Sequence, residues 1–278
     1  MKILITGAGG QLGRELTRQA SEHELILTDV AKMDISSHEQ VREIFRQVRP
    51  EAVLHCAAYT QVDRAETDFD GAYRINVAGT RNVAAACLET DARMIYVSTD
   101  YVFDGVQNRP YREYDPVNPQ SVYGRTKWLG EEMVRQVLGR HYILRTSWLY
   151  GEGHNFVRTM LKLAREKDQL QVVNDQTGSP TLAKDLARVM LQLIRTDAYG
   201  TYHVSGNGCC TWYEFACRIF QLAGISIPVQ PVTTACFAQP ARRPVYSVLD
   251  NYLLAMTMGD SMRHWDEALQ EYLAAGTA

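Results

Sequence analysis

The sequence predicts an α/β chain built on a doubly wound parallel sheet, with a smaller lobe toward the C-terminus. Two observations predict it. Short apolar, β-branched runs alternate with helical patterns through the first 150 residues. A glycine-rich turn, Gly7-Ala8-Gly9-Gly10-Gln11-Leu12-Gly13, joins the first run to the first helical pattern. Residues 1–150 are read as a dinucleotide-binding domain and 151–278 mainly as a lobe over the substrate, with one strand near 201–205 returned to the sheet.

Lys2 to Thr6 is the first buried strand. Without side chains at Gly7 and Gly10 the backbone can turn tightly and a pyrophosphate can come close. Gly13 lets the helix, running to about Ala20, pack on the sheet, and its N-terminus offers free N–H groups to phosphates. The same glycines would also serve a plain turn. Residues 25–28 form the second strand, ended by Asp29, an acid placed to bond ribose hydroxyls or to cap a turn. Arg14 and Lys32 are close enough in sequence to offer charge to a 2′-phosphate, so NADPH and NADH both stay open. Asp34-Ile35 follows, where an adenine would rest. Ser36-x-x-Glu39 resembles a capping box, which makes a helix entry the other reading of Asp34.

Residues 51–56 are the third strand, ending in Ala57-Ala58-Tyr59-Thr60, small enough in part for a cofactor to pass. A helix over 69–89 contains Asn76. Residues 94–98 are the fourth strand, with Thr99 at its carboxyl end. Asn118-Pro119 reads as cap and first position of the next helix. On that helix Tyr123 and Lys127 share a face. An ammonium beside a phenol lowers the phenol's pKa, which suits proton transfer to a hydroxyl or ketone, with Thr99 holding the substrate oxygen. A half-buried ring and a solvated charge would show the same spacing.

In the second half, residues 142–145 read as a strand followed by Trp148 and Tyr150, aromatics that stack a base or fill a core. Helices are expected over 156–165, 182–194 and 211–223, the last opened by Thr211 with Glu214. Residues 174–181 form a polar loop, 228–244 an irregular proline-rich segment, and 261–273 an amphipathic end. Arg242-Arg243 offers guanidinium forks to a diphosphate, or a solvated basic pair.

The net charge of −3 leaves no footprint for nucleic acid. No apolar run approaches ~20 residues, so no membrane span is expected, and the N-terminus does not read as a signal peptide. Six cysteines without metal spacing fit a reduced, cytoplasmic protein, with Cys209-Cys210 a structural neighbour pair. The histidines form no ligand cluster, so no metal is expected.

Gly7-x-x-Gly10-x-x-Gly13, Thr99 and Tyr123-x-x-x-Lys127 together resemble the extended short-chain dehydrogenase/reductases, which implies a Rossmann fold. Within them the chain is most similar to the dTDP-4-dehydrorhamnose reductase family. That likeness rests on residues 98–105, on Arg145-Thr146-Ser147-Trp148-Leu149-Tyr150, on Asn174-Asp175-Gln176-x-Gly178-x-Pro180-Thr181 and on Ala241-Arg242-Arg243-Pro244. It implies hydride reduction of the sugar's carbon-4 ketone, giving dTDP-L-rhamnose, with Tyr123 as proton donor, Lys127 on the nicotinamide ribose and Thr99 orienting the ketone. Gly7, Gly10, Gln11, Leu12 and Gly13 would line the pyrophosphate. Asp29, Asp34 and Ile35 would surround the adenosine, and Ala58, Tyr59 and Thr60 would pass beneath the cofactor. Thr99, Asp100, Trp148, Asn174, Gln176 and Arg242 would face the nucleotide sugar. Tyr59 departs from the histidine expected there. Some members dimerise through a metal held by acidic residues. Glu15 matches one of these, so a homodimer is an open expectation and no metal is assigned. An epimerase or dehydratase of the same superfamily stays open, though Tyr101 after Asp100 breaks the acidic pair of dehydratases. So does a non-catalytic regulatory subunit, the role of one relative toward methionine adenosyltransferase.

Overall fold

The structure, a computed structural model, describes residues 1–237, 239–259 and 262–276. Six parallel strands form its main sheet: β1 (Lys2–Thr6), β2 (Glu24–Thr28), β3 (Ala52–His55), β4 (Arg93–Thr99), β5 (His141–Thr146) and β6 (Gly200–His203), in the order β6-β5-β4-β3-β1-β2. β6 is the returning strand, paired in parallel with β5.

The sheet is buried on both faces, which is why its strands read as continuous apolar runs. Alternate residues go opposite ways. Ile3, Ile5 and Leu54 join Leu12, Leu16, Leu186 and Met190 on one face. Leu4, Val53 and Met94 join Val41, Phe45, Val83 and Val134 on the other. A third core, with Tyr150, Val157, Phe215, Ile219, Trp265 and Leu269, holds the C-terminal elements together. Chain order reverses between β1 and β3, which opens a crevice at the carboxyl edge of an α/β sheet.

Several expected elements are placed differently. The helix carrying Tyr123 spans Val122–Val137 and is capped by Ser121, whose Oγ accepts from Gly124 N at 3.1 Å. Asn118 is not its cap: Asn118 N donates to Val102 O at 2.9 Å, and a residue before proline favours an extended backbone. The second helix, His38–Val48, is capped by Ser37 rather than Ser36. The stretch expected as one helix over 69–89 contains a π-helical turn, Arg74–Gly79, between Phe69–Tyr73 and Thr80–Thr90. Within the proline-rich segment, Val229–Val232 forms a strand on Leu170–Val173. In a two-stranded ribbon Pro231 can turn its missing donor to the free edge. The polar loop 174–181 carries two short strands, Thr177–Gly178 and Thr181–Leu182. The helix Tyr252–Met258 was not expected. The last helix is Trp265–Ala274, and Ser261, the expected start, lies outside the described residues. The capping box at Thr211 and Glu214 forms as read.

Candidate active site

A cavity of about 860 Å³ runs along the carboxyl edge of the sheet. Its floor is built from the segments just past the carboxyl ends of β1, β3, β4 and β5.

Two glycines at one end are demanded by the fold. Gly7 has φ +65°, and a Cβ there would lie 2.8 Å from Ala57 N. A Cβ on Gly13 would overlap Gly7 O. Gly9 and Gly10 are different. Nothing lies within 4 Å of a Cβ at Gly9, and at Gly10 only Gly7 O at 3.3 Å. Both line the cavity, so their missing side chains leave room for a ligand rather than for the protein. The helix Gln11–Gln19 starts here with no side-chain cap and no acid in its first turn, leaving its N–H groups to an anion. Gln11 Oε1 is buried without a partner. These features fit a dinucleotide's pyrophosphate.

Leu12, Asp29, Asp34, Ile35, Ala58 and Thr60 also line the cavity. Asp29 also fixes the turn after β2, its Oδ1 accepting from Ala31 N at 3.1 Å and Lys32 N at 3.2 Å. Asp34 Oδ1 holds Ser36 N at 2.9 Å. Tyr59 does not reach the cavity; its hydroxyl donates to Asp68 Oδ2 at 3.0 Å. Its main chain is what counts. Asn76, in the π turn, accepts from Tyr59 N at 2.8 Å and donates to Tyr59 O at 3.2 Å and to Thr126 Oγ1 at 3.1 Å. One amide thus ties the segment after β3 to the helix of Lys127. Arg14 and Lys32 are occupied by Gly9 O and Leu27 O and do not line the cavity.

At the middle of the cavity stand Thr99, Asp100, Tyr123, Lys127 and Thr146. Gly124 lets the Tyr123 helix touch the chain after β4, since a Cβ there would overlap Tyr101 O. Tyr101 meets Tyr123 edge-on at 5.5 Å between ring centres. Tyr123 keeps a partly exposed edge, yet burial of the phenol raises its pKa well above the ordinary tyrosine range, with Thr99, in hydrogen-bonding reach, pulling the other way. Lys127 does not lower it, contrary to the expectation from spacing. Its ammonium donates to Val97 O at 2.7 Å and sits over the Tyr96 ring at 4.1 Å. Burial brings Lys127 down to about 7 against the pull of Glu131. Glu131 is itself held by Ser98 at 2.6 Å, Arg145 at 2.8 Å and Arg135 at 2.7 Å. Thr99 Oγ1 donates to Asp100 Oδ1 at 3.0 Å. Burial raises Asp100 to about 6, opposed by hydrogen bonding from Ser247 and Thr99.

The far wall is aromatic. Trp148, at φ +44°, stacks on Trp212 with 3.4 Å between ring centres and 6° between planes. The Trp148 indole occupies the space a Cβ on Gly178 would need. Gln176 lines this wall, its amide donating to Thr234 Oγ1 at 2.9 Å. Asn174 and Arg242 are not brought to the cavity. Asn174 accepts from Thr211 Oγ1, and the exposed Arg242 reaches Gln120 at 3.3 Å. Its neighbour Arg243 turns inward, paired with Asp63 at 2.6 Å, and brings Pro244 to the cavity wall. Thr146 and Pro244 stand in the quoted motifs but carry no assigned role there, and Trp212 is not named from sequence. Thr146 was the accessible one, since it ends the strand next to Thr99.

The RmlD substrate binding domain family matches residues 1–277. The chain belongs to this family. It is 45% identical to the Bacillus subtilis (strain 168) spore coat polysaccharide biosynthesis protein SpsK, over 98% of this chain and 96% of that one. The crystal structure of a dTDP-4-dehydrorhamnose reductase from Clostridium acetobutylicum is 50% identical, with a TM-score of 0.98 over 99% of both chains. That of dTDP-4-dehydrorhamnose reductase from Bacillus anthracis in complex with NADP is 42% identical, with a TM-score of 0.97 over 99% of both chains. The family's fold is therefore the fold described above, a Rossmann-like parallel sheet with smaller C-terminal sheets.

Proposed function

We propose that this protein reduces the carbon-4 ketone of dTDP-4-dehydro-L-rhamnose to dTDP-L-rhamnose with NADPH or NADH. The observation that carries this reading is the convergence of Thr99, Tyr123 and Lys127 on one cavity that continues, unbroken, to the open glycines Gly9 and Gly10. Full-length likeness to reductases of this substrate supports it, and the NADP in the Bacillus anthracis relative supports the cofactor.

Gly9, Gly10 and the first turn at Gln11 and Leu12 would hold the pyrophosphate, Asp29, Asp34 and Ile35 the adenosine, and Lys127 the nicotinamide ribose. When bound, the dinucleotide supplies the hydride. Tyr123 supplies the proton. Its raised pKa keeps the phenol protonated at neutral pH, ready for the far stronger base that forms as the ketone oxygen gains charge. General acid catalysis of this kind contributes roughly 10²–10⁴-fold. Lys127 is buried at the same sheet edge and brought down to about 7. Trp148 and Trp212 give the nucleotide sugar a flat apolar wall, and Gln176 an amide. Residues beyond 151 mainly cover the substrate. A cytoplasmic homodimer completes the reading; the free cysteines fit that compartment.

The test is oxidation of NADPH and NADH with enzymatically prepared dTDP-4-dehydro-L-rhamnose, with the sugar product identified. Stoichiometric oxidation yielding dTDP-L-rhamnose is expected. A rearranged sugar with no net oxidation would move the protein to the epimerases.

A further inference from the structure

Residues 239–244 reach the cavity wall at Pro244, and among the described residues no backbone–backbone hydrogen bond falls within this stretch. The residues just after it are stitched on two sides, Val245 O accepting from Thr177 N at 2.8 Å and Tyr246 N donating to Gly105 O at 3.0 Å. Pro240 and Pro244 have no N–H to offer. Side chains hold the stretch instead, and Asp63, from the first half of the chain, takes part in two of the bonds. Its Oδ1 accepts from Ala241 N at 3.2 Å and its Oδ2 from Arg243 Nη2 at 2.6 Å. Arg243 is fixed from two further directions: Nη1 donates to the Tyr101 hydroxyl at 3.4 Å and Nε to Gln239 Oε1 at 3.0 Å.

Asp63 lies in the short helix Val62–Ala65, on the segment that follows β3. Thr60 and Val62 of that segment line the cavity. At the other end of the link, Pro244 is seated on Gly105, where a Cβ would overlap it, and Tyr101 meets Tyr123 edge-on. We propose that Asp63 is a positioning residue for the nucleotide sugar: through Ala241 and Arg243 it holds Pro244 and Tyr101 in the wall beside the Tyr123 phenol. The ligand named here rests on the reductase reading above, which puts the sugar ketone at Tyr123. The link itself rests on the hydrogen bonds alone.

The ion pair has a second reading, of opposite sign. In that reading Asp63 only occupies a guanidinium that would otherwise bind the ligand's diphosphate, and its removal tightens binding. The geometry favours positioning. Arg243 does not line the cavity, whereas Tyr101 and Pro244 do. Asp63 also bonds the main chain at the buried Ala241, a contact that a guanidinium waiting for phosphate does not need. The link adds little stability, because the Asp63 side chain is 42% exposed and a pair this open to water is screened. Its loss is therefore felt at the ligand rather than in the melting temperature.

Two measurements test the proposal. The first is calorimetric binding of dTDP-L-rhamnose, which needs no turnover, and of NADPH, to the wild type, Asp63→Ala, Arg243→Ala and the double variant. Asp63→Ala should weaken dTDP-L-rhamnose binding by ~2–10-fold, with NADPH affinity and melting temperature close to the wild type. The double variant should bind no worse than the weaker single variant, since both substitutions break one link. Unchanged or tighter dTDP-L-rhamnose binding in Asp63→Ala overturns the proposal, as do an equal loss for NADPH and losses that multiply in the double variant. The second is amide hydrogen exchange in the free protein. The Ala241 amide should be protected in the wild type and in Asp63→Asn, whose side-chain oxygen still accepts, and should exchange fast in Asp63→Ala. Equal exchange in all three overturns the link whatever the ligand. A wild type that oxidises no cofactor and binds no dTDP-L-rhamnose refutes the reductase reading, while the exchange still decides whether Asp63 holds the stretch.

Discussion

Thr99 and Thr146 are direct partners across the β4–β5 ladder, at the carboxyl ends of both strands and both in the cavity wall. Their fates differ. Thr99 donates to Asp100 and accepts from Tyr101, whereas Thr146 Oγ1 is buried without a partner. A buried hydroxyl that the protein leaves unmatched is matched by a ligand or is a standing cost. Thr146→Val should therefore leave stability unchanged or slightly higher. It should weaken ligand binding by about 0.5–1.5 kcal/mol, or ~2–10-fold. Thermal unfolding of the free protein, set beside KM for sugar and dinucleotide, checks this and tells which ligand the hydroxyl serves.

Tyr123→Phe keeps the ring that Tyr101 packs against and removes only the acid. We expect kcat to fall by roughly 10²–10⁴ with dinucleotide affinity retained. Wild-type turnover in this variant would remove Tyr123 from the reaction.

Asn76 makes three hydrogen bonds from one buried side chain, two to Tyr59 and one to Thr126. Asn76→Ala strands those partners, at about 1–3 kcal/mol for each group left buried and unpaired. The melting temperature should drop, and dinucleotide affinity should fall with it, because residues 57–60 lose their anchor to the Lys127 helix. A variant that melts lower but binds the dinucleotide as well as the wild type would limit Asn76 to stability.

His55 and His203 are both fully buried and, because of that burial, both fall to about 3. The unfolded chain binds protons to them near pH 6.5 while the native state does not. Between about 6.5 and 3 the unfolded state thus holds more protons, and stability falls as pH falls. Each histidine contributes a slope of up to about 1.4 kcal/mol per pH unit in that window. Urea unfolding at pH 7.5, 6.5, 5.5 and 5.0 should show this loss below 6.5, partly offset below pH 6 by Asp100, whose proton the native state holds more tightly than the unfolded chain. In His55→Gln the slope between pH 6.5 and 5 should be shallower than in the wild type. A flat profile to pH 5 would contradict neutral burial of either ring.

Much of this architecture was legible because its causes are local. The first glycines and the run of Lys2–Thr6 declare a strand, a tight turn and a helix with an open N-terminus. Thr211 and Glu214 declare a helix start because the capping box is closed by neighbours three residues apart. Tyr123 and Lys127 share a helix face by periodicity alone. Where long-range contacts compete, the local signal misleads. Asn118-Pro119 has the chemistry of a helix start, but the bond from Asn118 N to Val102 O holds it extended, and Ser121 takes the role.

The parallel sheet, the glycine-rich turn and the residue types at its carboxyl edge are legible in the chain alone, since strand alternation, turn geometry and helix periodicity are properties of short stretches. Tertiary structure decided which of those residues act together and in what charge state. It turned Arg243 rather than Arg242 inward, where Asp63 pairs with it, and left Arg242 to Gln120. It stacked Trp148 on Trp212 from distant parts of the chain. It raised Tyr123 and lowered Lys127, the opposite of mutual activation for the phenol, because loss of water is the largest effect at each group and the Lys127 ammonium is turned to Val97 O and the Tyr96 ring.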